Sequence, residues 1–212
     1  MPDNKIIVES RRLILASASP RRSQLLAEAG FTFEIIPSTI DEKWDPKLSP
    51  EENVKKIALE KATDVARKTP RPFDHRVAVV EPSTLILAAD TIVVLGTRIL
   101  EKPRDKAEAS QFLKLLSGRT HSVLTGYTIL EGSGTIAAHG VEESKVSFKI
   151  LNDDQIGKYI QTGEPMDKAG AYAAQGIGSQ FIEKIEGSLS NVIGLPMEVV
   201  APILKTVMSY EL

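Results

Sequence analysis

The chain has 212 residues, of which 42% are hydrophobic and 25% are charged, and its formal net charge at pH 7 is −2. This composition is typical of a globular domain with a sizeable core. The balanced charge argues against a protein that binds duplex nucleic acid by neutralising many phosphates, whereas a small polyanion needs only a few cations in one place. The absence of cysteine excludes disulfides, thiolate nucleophiles and Cys-ligated zinc.

The sequence shows no targeting or membrane segment. The first residues lack the apolar stretch of a secretory signal. The sequence contains no run of roughly 18 apolar residues that could form a transmembrane helix. We therefore expect a cytoplasmic protein with no membrane partner.

The first part of the chain predicts a strand, a helix and a second strand. The apolar run Leu13–Ala16 is typical of a buried strand. Ser19 followed by Pro20 is a typical helix start, and Gly30 is a typical helix end. A second strand is predicted at Thr32–Ile36, before a polar loop that extends to residue 48.

A capping box at Ser49–Glu52 opens a long helix that should end near Lys68. Lys61 lies four residues after Ile57 and four before Val65, which places it on the apolar stripe of this helix. Two interpretations stay open at this point. The lysine stem could lie along the apolar surface with its ammonium in water, or the ammonium could belong to a site.

The rest of the chain alternates strands with helices but also contains hairpins, which favours an α/β or α+β fold with a mixed sheet. No repeat or linker divides it, so one domain is predicted over residues 1–212. The segment Thr69–Pro82 is predicted to be a loop with a short strand at Val77–Val80. The later predicted elements are strands at Leu85–Ala89, Ile92–Leu95 and Arg98–Leu100, a helix from Asp105 to Leu116, long strands at Ser122–Leu130 and Thr135–Ile150, a helix at Asn152–Gln161, a hairpin of Phe181–Ile185 and Leu189–Ile193, and a last helix opened by Pro196.

Several common motifs are missing. The chain has no P-loop and no G-x-S-x-G elbow. The pair Gly176 and Gly178 lacks the third glycine of a dinucleotide fingerprint. The three histidines, at 75, 121 and 139, lack metal-ligand spacing and are predicted to be structural or solvated.

The segment Ser17–Arg22 lies between a predicted strand and a predicted helix, and it combines two hydroxyls with two guanidiniums. Backbone N–H groups and the positive end of the helix dipole favour anions at such a turn. Arginine binds phosphate oxygens in bidentate fashion. The residues Ser17, Ser19, Arg21 and Arg22 could therefore bind phosphate, although a capped helix with exposed arginines has the same pattern.

Asp90 follows a buried strand, where a carboxylate costs desolvation unless it is paired or faces a cleft. Clefts in α/β sheets lie at the carboxyl ends of strands. The alternative is an aspartate that only ends the strand. Two further segments have both a functional and a surface interpretation: the tripeptide around Lys102, and the loop Glu164–Tyr172 with Gln175 beyond it.

Together these motifs resemble the Maf family of nucleoside triphosphate pyrophosphatases. The resemblance implies an elongated α/β molecule with a mixed β-sheet flanked by helices. It also implies two lobes around a central cleft, a fold related to inosine triphosphate pyrophosphatases, and a homodimer. The matching segments, in family order over about residues 12–208, are Ala16–Arg22, Ala89–Val93, Leu100–Pro103, Leu116–Arg119, Glu164–Tyr172 and Gly194–Pro196.

The activity implied by the resemblance is hydrolysis of a nucleoside triphosphate to the monophosphate and pyrophosphate with a divalent metal. Mg²⁺ is expected, with Mn²⁺ or Co²⁺ as alternatives. The Glu164–Tyr172 loop with the later Gln175 resembles the branch acting on dTTP and UTP. Modified pyrimidine triphosphates are further candidate substrates, and this would make the protein a cleaner of the nucleotide pool.

The resemblance also implies a role for each matched residue. Asp90 would be the general base and would bind the metal together with Glu42, while Lys61 and Lys102 would hold phosphate charge. Arg21 would contact the triphosphate. The other implied substrate contacts are Ser17, Ser19, Arg22, Asp167 and Lys168, with Thr91 and Gln175 setting base selectivity.

The sequence departs from the family pattern at Arg71–Thr84, which is predicted to be a surface insertion. It departs again at Ala173-Ala174, which replaces a Gly-Ile-type pair and would change the shape of the base pocket.

Three other functions compete with nucleoside triphosphate hydrolysis. A phosphomonoesterase with Asp90 as nucleophile would need a D-x-D pattern, which is absent. A non-catalytic nucleotide-binding regulator of cell division would not need the retained carboxylates and lysines. A structural interaction protein would show no thermal shift with nucleotide.

Overall fold

The computed structural model describes residues 11–69 and 84–209, which form a mixed sheet of seven strands flanked by helices. The predicted mixed α/β class is confirmed. The strands are β1 Leu13–Leu15, β2 Glu34–Ile35, β3 Leu85–Leu95, β4 Arg98–Leu100, β5 Thr120–Glu131, β6 Ile136–Phe148 and β7 Ile182–Glu186. The helices are α1 Pro20–Glu28, α2 Pro50–Lys68, α3 Lys106–Leu116, α4 Asp153–Gln161, α5 Leu189–Ile193 and α6 Met197–Met208.

The strand order is β2-β1-β3-β5-β6-β7, with β4 also paired to β3. Strand β1 is parallel to β2 and β3, and every other pairing is antiparallel. Within the described ranges no helix has both the length and the apolar character needed to cross a bilayer.

Strand β3 has an open stretch of edge in the middle of the sheet. One of its edges pairs with β5 along Leu85–Val94. The other edge pairs with β1 over Leu85–Leu87 and with β4 over Val93–Leu95. Between these two pairings no described strand covers this edge, so residues 88–92 border a gap. Asp90 and Thr91 lie in that gap because the pairing with β1 stops at Leu87 and the pairing with β4 starts only at Val93.

Alternating side chains of β1 and β3 pack against helices on opposite faces of the sheet. Helix α2 covers one face, through a cluster that includes Ile14, Ala62 and Ile86. Helices α1 and α6 cover the opposite face at one end, through a cluster that includes Leu15, Leu26 and Leu204. Helices α3 and α4 pack farther along, around Val93, Leu113 and Ile156. The gap in β3 therefore opens between two helix groups.

Helix α2 has the predicted capping box, in which Ser49 Oγ accepts from the backbone N–H of Glu52 at 3.2 Å. It packs very closely on β5 at Gly126. A Cβ added to Gly126 would lie 2.3 Å from the carbonyl oxygen of Val54. Gly126 is also the register partner of Asp90. The glycine thus allows α2 to approach the part of the sheet that carries Asp90.

The predicted hairpin of Phe181–Ile185 and Leu189–Ile193 is wrong in its second half. Strand β7 pairs with β6 instead, and residues 189–193 form α5. Ser188 Oγ accepts from the backbone N–H of Asn191 at 3.0 Å and caps this helix. Asn191 Nδ2 donates to the carbonyl oxygen of Val123 at 3.1 Å. These side-chain contacts override the strand pattern of the apolar residues.

Two other predictions concern irregular regions. The segment Glu164–Tyr172, predicted to be a loop, contains short 3₁₀ turns at Glu164–Asp167 and Ala169–Ala171. The strand predicted at Val77–Val80, the histidine at 75 and the insertion up to residue 83 lie outside the described residues.

Candidate active site

A cleft of about 600 Å³ opens at the gap in the β3 edge. Its walls come from the turn between β1 and α1, the inner face of α2, the segment after β4, the loop after α4 and the segment before α6. It brings together all but one of the residues predicted for the site. Those that line it are Ser17, Ser19, Arg21, Arg22, Glu42, Lys61, Asp90, Thr91, Lys102, Asp167 and Lys168.

Two carboxylates meet one ammonium in the cleft. Lys61 Nζ lies 2.7 Å from Asp90 Oδ1 and 2.8 Å from Glu42 Oε1. Lys61 and Asp90 are each only 8% exposed. Because burial of a lone charge is costly, a buried lysine needs such partners. Of the two interpretations of Lys61, the contacts favour an ammonium held at a site over one that reaches into solvent.

The loop that carries Glu42 is tied to α2 at both ends. At one end, Asp64 Oδ2 accepts hydrogen bonds from the Ser38 hydroxyl and from the backbone N–H of Thr39, each at 2.9 Å. Hydrogen bonds from Lys68 and from this loop lower the pKa of Asp64. At the other end buried Asn53 bonds both the N–H and the carbonyl of Asp45 at 2.9 Å. These two anchors fix the loop segment in which Glu42 reaches Lys61.

Arg22 ties three segments together at the floor of the cleft. Its Nε donates to the Gly194 carbonyl at 2.7 Å, its Nη1 to Ser17 Oγ at 3.0 Å and its Nη2 to Thr91 Oγ1 at 3.1 Å. Burial lowers its pKa, and the nearby carboxylates of Asp90 and Glu42 oppose that shift. Three of its five N–H groups are used in this way, which leaves two for a ligand.

Other cations also line the cleft. Arg21 Nη1 lies 3.7 Å from Asp167 Oδ2. Lys168 Nζ contacts the same carboxylate and donates to the Glu164 carbonyl at 2.7 Å. Lys102 lines the cleft, and no hydrogen bond or ion pair joins it to another described residue.

Ser19 occupies the N-cap position of α1, as predicted, but its hydroxyl makes no cap hydrogen bond. The backbone N–H of Ser19 instead donates to Ser17 Oγ at 3.2 Å. The first turn of α1 therefore keeps N–H groups that its N-cap side chain does not satisfy, and these favour an anion at the cleft.

The loop after α4 supplies a less charged wall, made of Tyr172, Ala173 and Ala174. Gln175 follows this wall directly but is not among the residues that line the cleft, so the structure does not bring it together with the rest. Tyr172 OH and His121 Nε2 lie 2.8 Å apart. Burial lowers the pKa of His121 to about 4 and raises that of Tyr172.

The other described histidine, His139, pairs through Nδ1 with Thr128 Oγ1 at 2.8 Å. Burial lowers the pKa of His139 as well. Neither His121 nor His139 lines the cleft, and both make structural contacts, as the sequence predicted for them.

Sequence reasoning missed two residues of the site. Trp44 lines the cleft and packs against the cluster around Ile92. The sequence does single out Trp44, because it is the only tryptophan and lies in an otherwise polar loop. Glu164 lies just outside the lining, and its carboxylate holds the wall loop at its base. No pattern in the sequence marked that role.

The comparisons with known proteins agree on one family. A family model described as Maf-like protein matches residues 12–207. The dTTP/UTP pyrophosphatase of Caldicellulosiruptor bescii is 46% identical over 187 residues, which cover 88% of this chain and 90% of that protein. The dTTP/UTP pyrophosphatase of Bacillus pumilus is 42% identical over 195 residues, which cover 92% and 96%.

A solved structure from Mycobacterium abscessus, named nucleoside-triphosphatase / dITP/XTP pyrophosphatase, also aligns. It is 14% identical, with 90% of this chain and 92% of that chain covered. The TM-score is 0.40, which is too low to support a conclusion.

Proposed function

The chain belongs to the family of Maf-like proteins, and we propose that it hydrolyses dTTP and UTP to the nucleoside monophosphate and pyrophosphate. The observation that carries this proposal is the contact of Lys61 with Asp90 and Glu42 inside a cleft that also holds the start of α1. The two relatives above, named for this activity, match about nine-tenths of the chain. Modified pyrimidine triphosphates are further candidate substrates.

The cleft suits a small polyanion. Its volume falls in the range of about 300–1,000 Å³ that small-molecule sites occupy. Arg21, Lys102 and Lys168 surround it, although the net charge of the chain is only −2. Five cationic side chains thus line the cleft beside four carboxylates, a mixture that suits a triphosphate bound together with a divalent metal. A nucleic-acid duplex would require a broad basic surface instead.

In the proposed reaction, a water oxygen bonds to the α-phosphorus while the bond from that phosphorus to the bridging oxygen breaks. Asp90 accepts the water proton, a role that contributes typically about 10²- to 10⁴-fold. Lys61 orients the Asp90 carboxylate through its 2.7 Å contact. Arg21, Lys102 and the N–H groups of α1 stabilise the charge on the departing pyrophosphate.

The carboxylates also fit a divalent metal, provided that it arrives with the nucleotide. Glu42 and Asp90 both reach the same ammonium, so their oxygens lie close together. Among the described residues, no group of three or more His, Cys, Asp or Glu could hold a metal alone. Mg²⁺ commonly takes one or two carboxylates plus substrate phosphates. When bound, Mg²⁺, or Mn²⁺ or Co²⁺ in its place, would neutralise phosphate charge and make water more acidic.

The base would contact the wall of Tyr172, Ala173 and Ala174. Thr91 is already hydrogen-bonded to Arg22 and to Thr125 Oγ1 at 2.9 Å, so its contribution to base selectivity would come through a fixed hydroxyl. Gln175 would need to turn toward the nucleotide to contribute. The proposal also includes one two-lobed domain, a homodimer, a cytoplasmic location and a role in cleaning the nucleotide pool.

The competing functions gain no support. A non-catalytic regulator would not need an intact group of Lys61, Asp90 and Glu42, and the relatives are named as enzymes. A phosphomonoesterase would release orthophosphate rather than pyrophosphate.

The products decide between these functions. We expect the protein with Mg²⁺ to convert dTTP and UTP to dTMP and UMP, with one pyrophosphate per turnover, and to lose this activity when EDTA is added. Chromatography of the nucleotides and a pyrophosphate-specific assay would show it. Release of orthophosphate instead would overturn the proposal, and a panel of canonical and modified triphosphates would rank the substrates.

A further inference from the structure

The loop from Glu164 to Gly178 is closed at its base by the Glu164 carboxylate. Glu164 Oε2 accepts from the backbone N–H of Ile177 at 3.0 Å, and Oε1 accepts from that of Gly178 at 2.9 Å. Tyr159 OH donates to Oε1 at 2.9 Å. One side chain thus joins the first residue of the loop, its last residues and the preceding helix α4.

The packing at this closure leaves no room for larger residues. Gly176 has a φ of 102°, and a Cβ there would lie 2.7 Å from Glu164 Oε2. A Cβ on Gly178 would lie 2.6 Å from Tyr159 OH. The two glycines let the backbone reach the carboxylate closely. The closure is therefore closely packed, with Gly178 and Tyr159 buried and Gly176 and Ile177 at the surface.

Tyr159 connects this closure to the cleft. Its hydroxyl donates to Glu164 and accepts from the backbone N–H of Ala173 at 3.2 Å. Burial and the Glu164 carboxylate raise the pKa of Tyr159, so the hydroxyl keeps its proton. The next residue back, Tyr172, is held through its own hydroxyl by His121. Two successive residues of the cleft wall are thus fixed by buried hydroxyls.

We propose that Glu164 and Tyr159 are positioning residues that set base selectivity by fixing the wall Tyr172–Ala174 against the bound nucleotide. This inference rests on the proposed function. Neither side chain lines the cleft. Tyr159 therefore acts through the backbone of Ala173, and Glu164 acts through Tyr159 and through the backbone at the end of the loop. Of the charged groups suited to the triphosphate, Lys61 and Arg21 come from other segments and Lys168 comes from this loop.

The closure should affect the base more than the phosphates. Lys168 lies on the same loop, but its ammonium contacts the Glu164 carbonyl, which a side-chain substitution leaves in place. A pocket wall displaced by a fraction of an ångström admits a larger base and binds the smaller one less well. Loosening the wall should thus reduce the preference for a pyrimidine over a purine.

The test compares Glu164→Gln and Tyr159→Phe with the unaltered protein, measuring kcat and KM for dTTP and dATP. We expect the ratio of kcat/KM for dTTP to that for dATP to fall about tenfold in each variant. The change should come mainly from a higher KM for dTTP, with kcat altered less than about threefold. Glu186→Gln is the matched control, because it removes the same charge from an exposed ion pair on β7.

An unchanged ratio in both variants would overturn the inference. An equal fall of kcat for both nucleotides at constant KM would also overturn it, since that would mark a general disturbance of the site. Tyr159→Phe removes only one hydroxyl. It therefore provides the test on its own if Glu164→Gln does not fold. Failure of the proposed function is distinguishable, because the unaltered protein would then release no pyrophosphate from dTTP.

Discussion

Lys61 Nζ donates a hydrogen bond to Asp90 Oδ1 at 2.7 Å across the interface between α2 and β3. Both side chains are almost fully buried, yet both border the cleft. The contact requires α2 to lie close to the sheet, and Gly126 permits that approach. The proposed chemistry therefore depends on helix packing as well as on the two residues themselves.

Asp90→Asn should abolish turnover while preserving the fold. The amide cannot accept the water proton, so we expect pyrophosphate release from dTTP to fall at least about 10²-fold. Lys61 keeps Glu42 as a partner at 2.8 Å, which limits the loss of stability. Thermal unfolding and nucleotide binding, followed through Trp44 fluorescence, would check that the cleft persists.

Asp153→Asn is the control for that variant. Asp153 forms an exposed ion pair with Lys114 at 2.7 Å on the surface of α4, so its loss should leave turnover unchanged. Undiminished activity in Asp90→Asn would remove this carboxylate from the role of base.

Gly126→Ala should lower both stability and activity. The added Cβ would lie 2.3 Å from the Val54 carbonyl, so α2 would have to move away from β5. Overpacking of this kind typically costs about 1–3 kcal/mol in the free energy of unfolding. Since Lys61 is on α2, pyrophosphate release should fall as well. Urea unfolding and a turnover assay would measure the two effects.

Gly157→Ala provides the matched comparison, because nothing lies within 4 Å of a Cβ at this position in α4. We expect it to raise the free energy of unfolding by up to about 1 kcal/mol through helix propensity, at normal turnover. Similar behaviour of the two variants would contradict the close-packing account.

Arg22→Lys should be far from conservative. Arg22 uses three different nitrogen atoms to reach Gly194, Ser17 and Thr91. Lysine has a single nitrogen and cannot reproduce this arrangement. We expect the free energy of unfolding to fall by about 2 kcal/mol, since hydrogen bonds to charged groups contribute about 1.5–3 kcal/mol. Arg104→Lys, on an exposed arginine paired with Glu108, should stay within about 0.5 kcal/mol. A stable Arg22→Lys protein would argue against this role.

His121 should make stability depend on pH. Burial depresses its folded-state pKa to about 4, below the unfolded value of about 6.5. The unfolded state therefore binds more protons in this window, so the free energy of unfolding falls as pH drops from 6.5 toward 4. The full effect on the free energy of unfolding is on the order of 3 kcal/mol.

His121→Gln should flatten that dependence in urea titrations at pH 7 and pH 4.5, because glutamine does not titrate. His139→Gln should change it less, since His139 is more exposed. If the free energy of unfolding changes with pH by the same amount in the unaltered protein and in His121→Gln, His121 is not the group responsible for the pH dependence.

The sequence predicted elements well where the signal was local. The capping box at Ser49 marked the start of α2, and the apolar spacing placed Lys61 on its inner face. The structure adds that Lys61 has two carboxylate partners, one of them from a loop. That pairing depends on chain segments about 20 to 30 residues apart, which local periodicity does not connect.

The failures came where tertiary contacts outweighed local pattern. Residues 189–193 have the apolar character of a strand, but capping by Ser188 and the contact of Asn191 with β5 make them a helix. In the sequence, Glu164 is only the first residue of a charged loop. Its partners at residues 177 and 178 become neighbours only when the loop closes.

The most direct test of the proposed reaction is hydrolysis of dTTP in ¹⁸O-labelled water, with the products resolved by mass spectrometry. Water attack on the α-phosphorus should place one ¹⁸O atom in dTMP and none in pyrophosphate. Label in pyrophosphate, or in released orthophosphate, would show attack at a different phosphorus. That result would contradict attack on the α-phosphorus, the step in which Asp90, oriented by Lys61, is proposed to accept the water proton.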